Sequence, residues 1–125
     1  MTATQKPGEI VLEMIAAWRR LNLEDAMSLL ADDATFLPAP KSEPVCGREA
    51  IRALWAYYMG LFASYACEVQ NMLMSDRLVI VERTERIARV DGQHVVLPVA
   101  SVFQLDDASK IIAWRDYWDP SMANG

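Results

Sequence analysis

Two hydrophobic periods divide the chain. Up to Gly60 the apolar residues recur every third or fourth position, and beyond it they alternate with polar ones, the signatures of helix and strand. Val11, Met14, Ile15, Trp18 and Leu21 paint one face of a helix starting near Gly8, which leaves residues 1–7 as a loose tail. Asn22, placed just ahead of Asp25, predicts the N-cap of a second, short helix. Ala26, Leu29 and Leu30 form the apolar face of that helix, and Asp32 and Asp33 end it. In Phe36-Leu37-Pro38-Ala39-Pro40 the two prolines lack amide donors, which predicts an edge or a loop and not a central strand. Gly47 precedes a third helix over 48–59 with Ile51, Leu54, Trp55 and Tyr58 as its buried stripe, and Gly60 is its expected break.

After Gly60 the alternation predicts strands at about 65–74, 77–90, 94–105 and 110–118. Asp91-Gly92 reads as a tight hairpin turn between the second and third, and Asp106 to Ser109 as the next turn. Helices first and a meander afterwards give an α+β plan in which helices cover one face of a sheet. At 125 residues and 14.1 kDa the chain is one domain, residues 1–125.

Composition narrows the function. A net charge of -5 disfavours a phosphate backbone as partner, and Arg19-Arg20 and Arg48/Arg52 make no basic stripe. No apolar run reaches the length of a membrane span. Cys46 and Cys67 lack any Cys-x-x-Cys arrangement and read as free thiols of a cytoplasmic protein. With His94 as the sole histidine, the sequence offers no zinc site, and neither metal nor cofactor is expected. The 53% apolar content is high for a short soluble chain, which points to a lined cavity, a subunit interface, or both. A homodimer is expected, with Ile80 and Tyr117 on an outer sheet face.

The candidate chemistry lies on the strands. Alternation puts Val79, Val81, Arg83 and Glu85 on one face of the second strand. On the last strand Ile112, Trp114, Asp116 and Trp118 share a face. If the apolar members mark the inside, Arg83 points inward between two carboxylates, Glu85 and Asp116. Buried charge is costly unless paired, and a guanidinium has donors enough for both. Two such carboxylates can hold different protonation states, one serving as base and one as acid. Opening a strained ether ring needs that pair. The alternative is a structural ion network. Phe36, Trp55, Tyr58, Trp114 and Trp118 are the candidate lining of a substrate cavity, with plain core packing as their other use.

Glu82-Arg83-Thr84-Glu85 and Trp114-Arg115-Asp116-Tyr117-Trp118-Asp119 resemble the limonene-1,2-epoxide hydrolase family. That family belongs to the NTF2-like group, which also holds ketosteroid isomerase and SnoaL-type cyclases. The helix start Gly47-Arg48-Glu49-Ala50-Ile51-Arg52 and the strand Ser101-Val102-Phe103-Gln104-Leu105 are similar too, and the likeness runs from about Ile10 to Asp119. It implies an NTF2-like cone, with N-terminal helices packed on a strongly curved mixed β-sheet. It also implies a cofactor-free hydrolase that adds water to a small, largely apolar epoxide in one step, giving a vicinal diol. In the roles so implied, Asp116 is the base that activates water, Arg83 the shared cation and Glu85 the acid, a glutamate where the family has an aspartate. The family's tyrosine and asparagine that help hold the water fall near Phe36 and Pro38, which have no polar side-chain group. A SnoaL-like cyclase or isomerase using the same carboxylates would not need that water. A non-catalytic ligand-binding or dimerisation domain is the alternative of another class. Asp32-Asp33-Ala34-Thr35 and Ser42-Glu43-Pro44 resemble ketosteroid isomerase locally, but its base would fall near Pro38, which cannot take a proton.

Overall fold

Pro7 opens the first helix, a position where its missing N–H is no loss because the first turn has no helical acceptors. In the computed structural model, which describes residues 6–124, α1 spans Pro7–Arg19. The expected tail therefore ends before Pro7, and residues 1–5 lie outside the described residues. Asn22 caps α2 (Leu23–Ser28) as expected, its Oδ1 accepting from the Asp25 amide at 3.0 Å.

The helix stops at Ser28, and Asp32 and Asp33 lie inside a strand, β1 (Leu30–Leu37). β1 runs between β2 (Val45–Cys46) and β6 (Ile111–Tyr117), so Phe36 pairs with Val45 on one side and Trp114 on the other. Phe36 and Leu37 thus end a strand that is not an edge, while Pro38 to Pro40 form the loop expected of them. The prolines do no harm because Pro38 and Pro40 fall just past the last paired residue. α3 (Arg48–Leu61) continues through Gly60, where a glycine so close to the helix end costs only about 1 kcal/mol against alanine.

β3 (Phe62–Ser75), β4 (Leu78–Arg89) and β5 (His94–Leu105) form the expected meander with β6. Gly92, at φ +92°, turns the chain between β4 and β5, with the Arg89 amide donating to Gln93 O at 2.8 Å. The sheet order is β2-β1-β6-β5-β4-β3, antiparallel except for β1 beside β6. This is an NTF2-like α+β topology with a mixed sheet, but the sheet is not strongly curved, contrary to expectation. Strong bending needs bulges or glycines within strands. No strand here contains a glycine, and the central pair β4 and β5 stays in register from Leu78↔Gln104 to Ala88↔His94; the register shifts lie in the flanking pairs β1–β6, β3–β4 and β5–β6.

One bulge matters locally. Leu105 pairs with Ile111 and Gln104 with Ala113, so Ile112 is skipped and the alternation reverses there. Ile111, not Ile112, is therefore fully buried beside Trp114 and Asp116.

α1 and α3 pack on one face of the sheet. Val11 and Met14 of α1 and Ile51 and Trp55 of α3 meet Val79, Val81 and Phe103 in the core, all fully buried. Each such side chain contributes about 1.5–3 kcal/mol relative to exposure. The other face is open: Ile80, Val96 and Tyr117 are each 42–49% exposed. Among the described residues no helix is long and apolar enough to cross a membrane.

Candidate functional site

Four neighbouring strands each place one or two polar side chains on the covered face. β4 brings Arg83 and Glu85, and β6 brings Asp116. β5 brings Ser101, directly opposite Asp116 in register, and β3 brings Tyr65 and Cys67. The sequence-predicted triad of Arg83, Glu85 and Asp116 is thus brought together.

Arg83, 1% exposed, is its hub. Nη1 donates to Glu85 Oε2 and to the Tyr65 hydroxyl, each at 2.9 Å, and lies 3.7 Å from Cys67 Sγ. Nε donates to Ser101 Oγ at 3.0 Å, and Nη2 sits 3.4 Å from both oxygens of Asp116. Tyr65 in turn donates to Glu85 Oε2 at 2.6 Å. Asp116 Oδ1 accepts from Ser101 Oγ at 2.7 Å and from the Trp114 indole at 2.6 Å, whereas Oδ2 has only the long contact to Arg83. Each carboxylate therefore keeps one oxygen largely free of protein donors.

Burial and charge act against each other on these groups. Burial pushes the Asp116 carboxyl up to about 6, and the Glu85 charge adds to this, against the opposing pull of Arg83, Ser101 and Trp114. Burial alone would weaken the Arg83 charge, but Glu85, Tyr65 and Asp116 outweigh it and hold the guanidinium protonated. Burial and then Glu85 raise the Tyr65 phenol well above its ordinary range, so its proton stays available to donate.

A buried ion cluster is not in itself a site. This one opens on a cavity of ≈ 250 Å³, on whose wall Glu85 and Asp116 lie. The rest is apolar and largely aromatic, with Trp18, Phe36, Tyr58, Phe62, Trp114 and Trp118 among the lining. Such a wall suits a small ligand with few polar atoms. Arg83 stands behind the carboxylates and does not reach the wall. Of the five aromatic residues expected to line the cavity, Phe36, Tyr58, Trp114 and Trp118 do so, and Trp55 does not. Trp55 is fully buried behind them, edge-on to Trp18, Phe36 and Trp114 at 5.3, 5.6 and 5.4 Å between ring centres. Pro38 also lines the cavity, and its carbonyl accepts from the Trp118 indole at 2.7 Å.

Tyr65 and Ser101 were missed in the sequence, although a signal for Ser101 was there: it is the polar residue in the inward series Val99, Ser101, Phe103. Tyr65 and Cys67 follow the same alternation in β3. Arg48 and Arg52 are engaged elsewhere. Arg48 Nη1 donates to the carbonyls of Met27 and Leu30 at 2.8 and 2.9 Å, and Arg52 pairs with Glu24. His94 is exposed, and no cluster of His, Cys, Asp or Glu among the described residues could hold a metal ion.

Comparison with known proteins places the fold. A limonene-epoxide-hydrolase-like epoxide hydrolase of M. tuberculosis superposes with a TM-score of 0.82 at 20% identity, covering 94% of this chain and 86% of that one. The epoxide hydrolase/cyclase-like enzyme SalBIII, of pyran ring formation in the polyether salinomycin, gives 0.85 at 20% identity over 94% of each chain. A putative SnoaL-like polyketide cyclase of Shewanella denitrificans gives 0.86 at 12% identity, covering 94% and 93%. No curated protein matches the sequence. The profile of the SnoaL-like domain matches residues 11–114, all six strands and all three helices included at least in part, and the chain belongs to that family.

Proposed function

We propose that this protein is an enzyme that opens a small, largely apolar epoxide, with water as nucleophile and a vicinal diol as product. The observation that carries the reading is the pair of carboxylates, Glu85 and Asp116, joined through Arg83 and facing an otherwise apolar cavity. Asp116 takes a proton from water as the water oxygen bonds to a ring carbon. The carbon–oxygen bond breaks, and the departing oxygen takes a proton from Glu85, which in this reading enters the reaction in its protonated form. A base held near 6 is stronger than an ordinary aspartate yet mostly ionised at neutral pH. The Trp114 and Ser101 hydrogen bonds fix the orientation of Asp116. This reading groups the chain with the limonene-1,2-epoxide hydrolases its sequence resembles, and the similarity in fold to an epoxide hydrolase supports it.

One observation favours a second reading. Phe36 and Pro38 on the cavity wall give no polar side chain to hold a water. An internal hydroxyl of the substrate would need no such holding, and the same carboxylates would then close a ring. An epoxide panel in water labelled with heavy oxygen separates the two. Label in a diol supports hydrolysis. Epoxide consumed without label supports cyclisation or isomerisation, and epoxide bound but unchanged leaves a binding domain. The reading includes a homodimer formed through the open sheet face, where Ile80, Val96 and Tyr117 are exposed. Light scattering should return about twice 14.1 kDa, and a monomer mass at every concentration rules the dimer out.

A further inference from the structure

The donors around the cavity are nearly all committed. The Tyr65 hydroxyl donates to Glu85, Ser101 and the Trp114 indole to Asp116, and the Trp118 indole to the Pro38 carbonyl. Every nitrogen of Arg83 faces another side chain of the protein. The Trp18 indole nitrogen has no partner, but it is sealed from solvent and cannot meet a ligand. What remains is the hydroxyl of Tyr58, which lines the cavity and makes no hydrogen bond among the described residues. Its ring is held: it stacks parallel to Phe62, with 6.4 Å between centres and 2° between planes, and Phe62 stacks on Tyr65 at 6.2 Å and 13°. This row of near-parallel rings runs from α3 to β3, with Tyr65 and its Glu85 partner at one end and Tyr58 at the other.

We propose that the Tyr58 hydroxyl holds the nucleophilic water against Asp116, which makes Tyr58 a catalytic residue; the inference rests on the hydrolytic reading above. A water that gives one O–H to Asp116 has a second O–H to place, and an unplaced one in an aromatic cavity is costly. The Tyr58 oxygen accepts it. The lone pair of the water is then left to attack the ring carbon, and Tyr58 itself neither gains nor loses a proton. Tyr58 and Asp116 line the same cavity, and burial, followed by the charge of Asp116, raises the Tyr58 phenol above its ordinary value, which keeps it neutral in this role.

Tyr58→Phe removes the oxygen and keeps the stacked ring. For an epoxide that the wild type hydrolyses, kcat should fall about 10²-fold, with KM within about twofold, because the lost contact is to the water and not to the substrate. Tyr57→Phe, at an exposed neighbour, should match the wild type. A Tyr58→Phe enzyme with kcat within about twofold of wild type, or one whose whole loss lies in KM, overturns the assignment of Tyr58 while leaving hydrolysis standing. A wild type that turns over no epoxide in the panel overturns the hydrolytic reading and Tyr58 with it. Melting of Tyr58→Phe should stay at the wild-type temperature, and a variant that melts well below it would show a structural role instead.

Discussion

Strand β4 carries charge on both faces, and the two faces treat it differently. Inside, Arg83 is sealed from water and bound by Glu85, Tyr65, Ser101 and Asp116. Outside, Glu82 accepts from Asn71 at 2.7 Å in solvent, and at the strand end, in the register of Arg83 itself, Arg89 pairs with Asp91 at 3.1 Å with both side chains substantially exposed. The contacts are similar in length, so distance does not distinguish them. Water does. The exposed pair exchanges solvent hydrogen bonds for an ion pair at little net gain. The buried groups have given up their solvation, and each depends on the others to remain charged.

The largest test of that contrast is Arg83→Ala. Removing the hub strands two carboxylates in a dry site, and stability should fall by about 3–5 kcal/mol. Denaturant melts measure this, and unchanged melting would contradict the hub. Activity should vanish as well.

Asp116→Asn keeps shape but cannot take a proton. Turnover should drop by roughly 10²–10⁴-fold with the circular dichroism spectrum intact, and Glu85→Gln should behave alike. Near wild-type turnover by folded Asp116→Asn would reduce the cluster to a structural one.

A subtler effect comes with pH. The rate needs ionised Asp116, so kcat/KM should fall as pH drops through about 6. Stability runs the other way. The folded carboxyl titrates near 6 and an ordinary aspartate at 3.8, so the folded state holds more protons between those values. That stabilisation is full below 3.8 and is lost as pH rises through about 6. Between pH 4 and 7 the Asp116→Asn variant should therefore gain on the wild type by on the order of 2–3 kcal/mol. A pH-independent difference would mean that burial does not govern Asp116.

The smallest effect belongs to the exposed pair at the end of β4. Arg89→Ala should move the melting temperature by no more than roughly 1–2 °C and leave turnover alone. A large loss there would erase the contrast between buried and exposed charge.

The inward register of Arg83, Glu85 and Asp116 was legible because residues alternate in strands, and one apolar neighbour fixes the side. β5 was read to the residue for the same reason. β1 was not legible. Ala31-Asp32-Asp33-Ala34 has no strand alternation, and β1 exists through parallel pairing with β6, some eighty positions away in the chain, which no local pattern reports. Ile112 was misassigned because a bulge reverses the alternation. The curvature of the sheet was misjudged because it was taken from a family likeness and not from the residues of the strands. The share of Tyr65 and Ser101 in the cluster depends on cross-strand register, which alternation leaves open.

The hydrogen bond from the Trp118 indole to the Pro38 carbonyl fastens the loop after β1 to the end of β6. None of the groups bonded to Arg83 comes from that loop. The strands can therefore be kept under strict selection while residues 39–44, mostly exposed and outside any strand or helix, vary in length and sequence. A lineage carrying this fold could lengthen or shorten the loop beyond that anchor and leave both the cavity wall, to which the loop lends Pro38, and the proton-handling groups untouched.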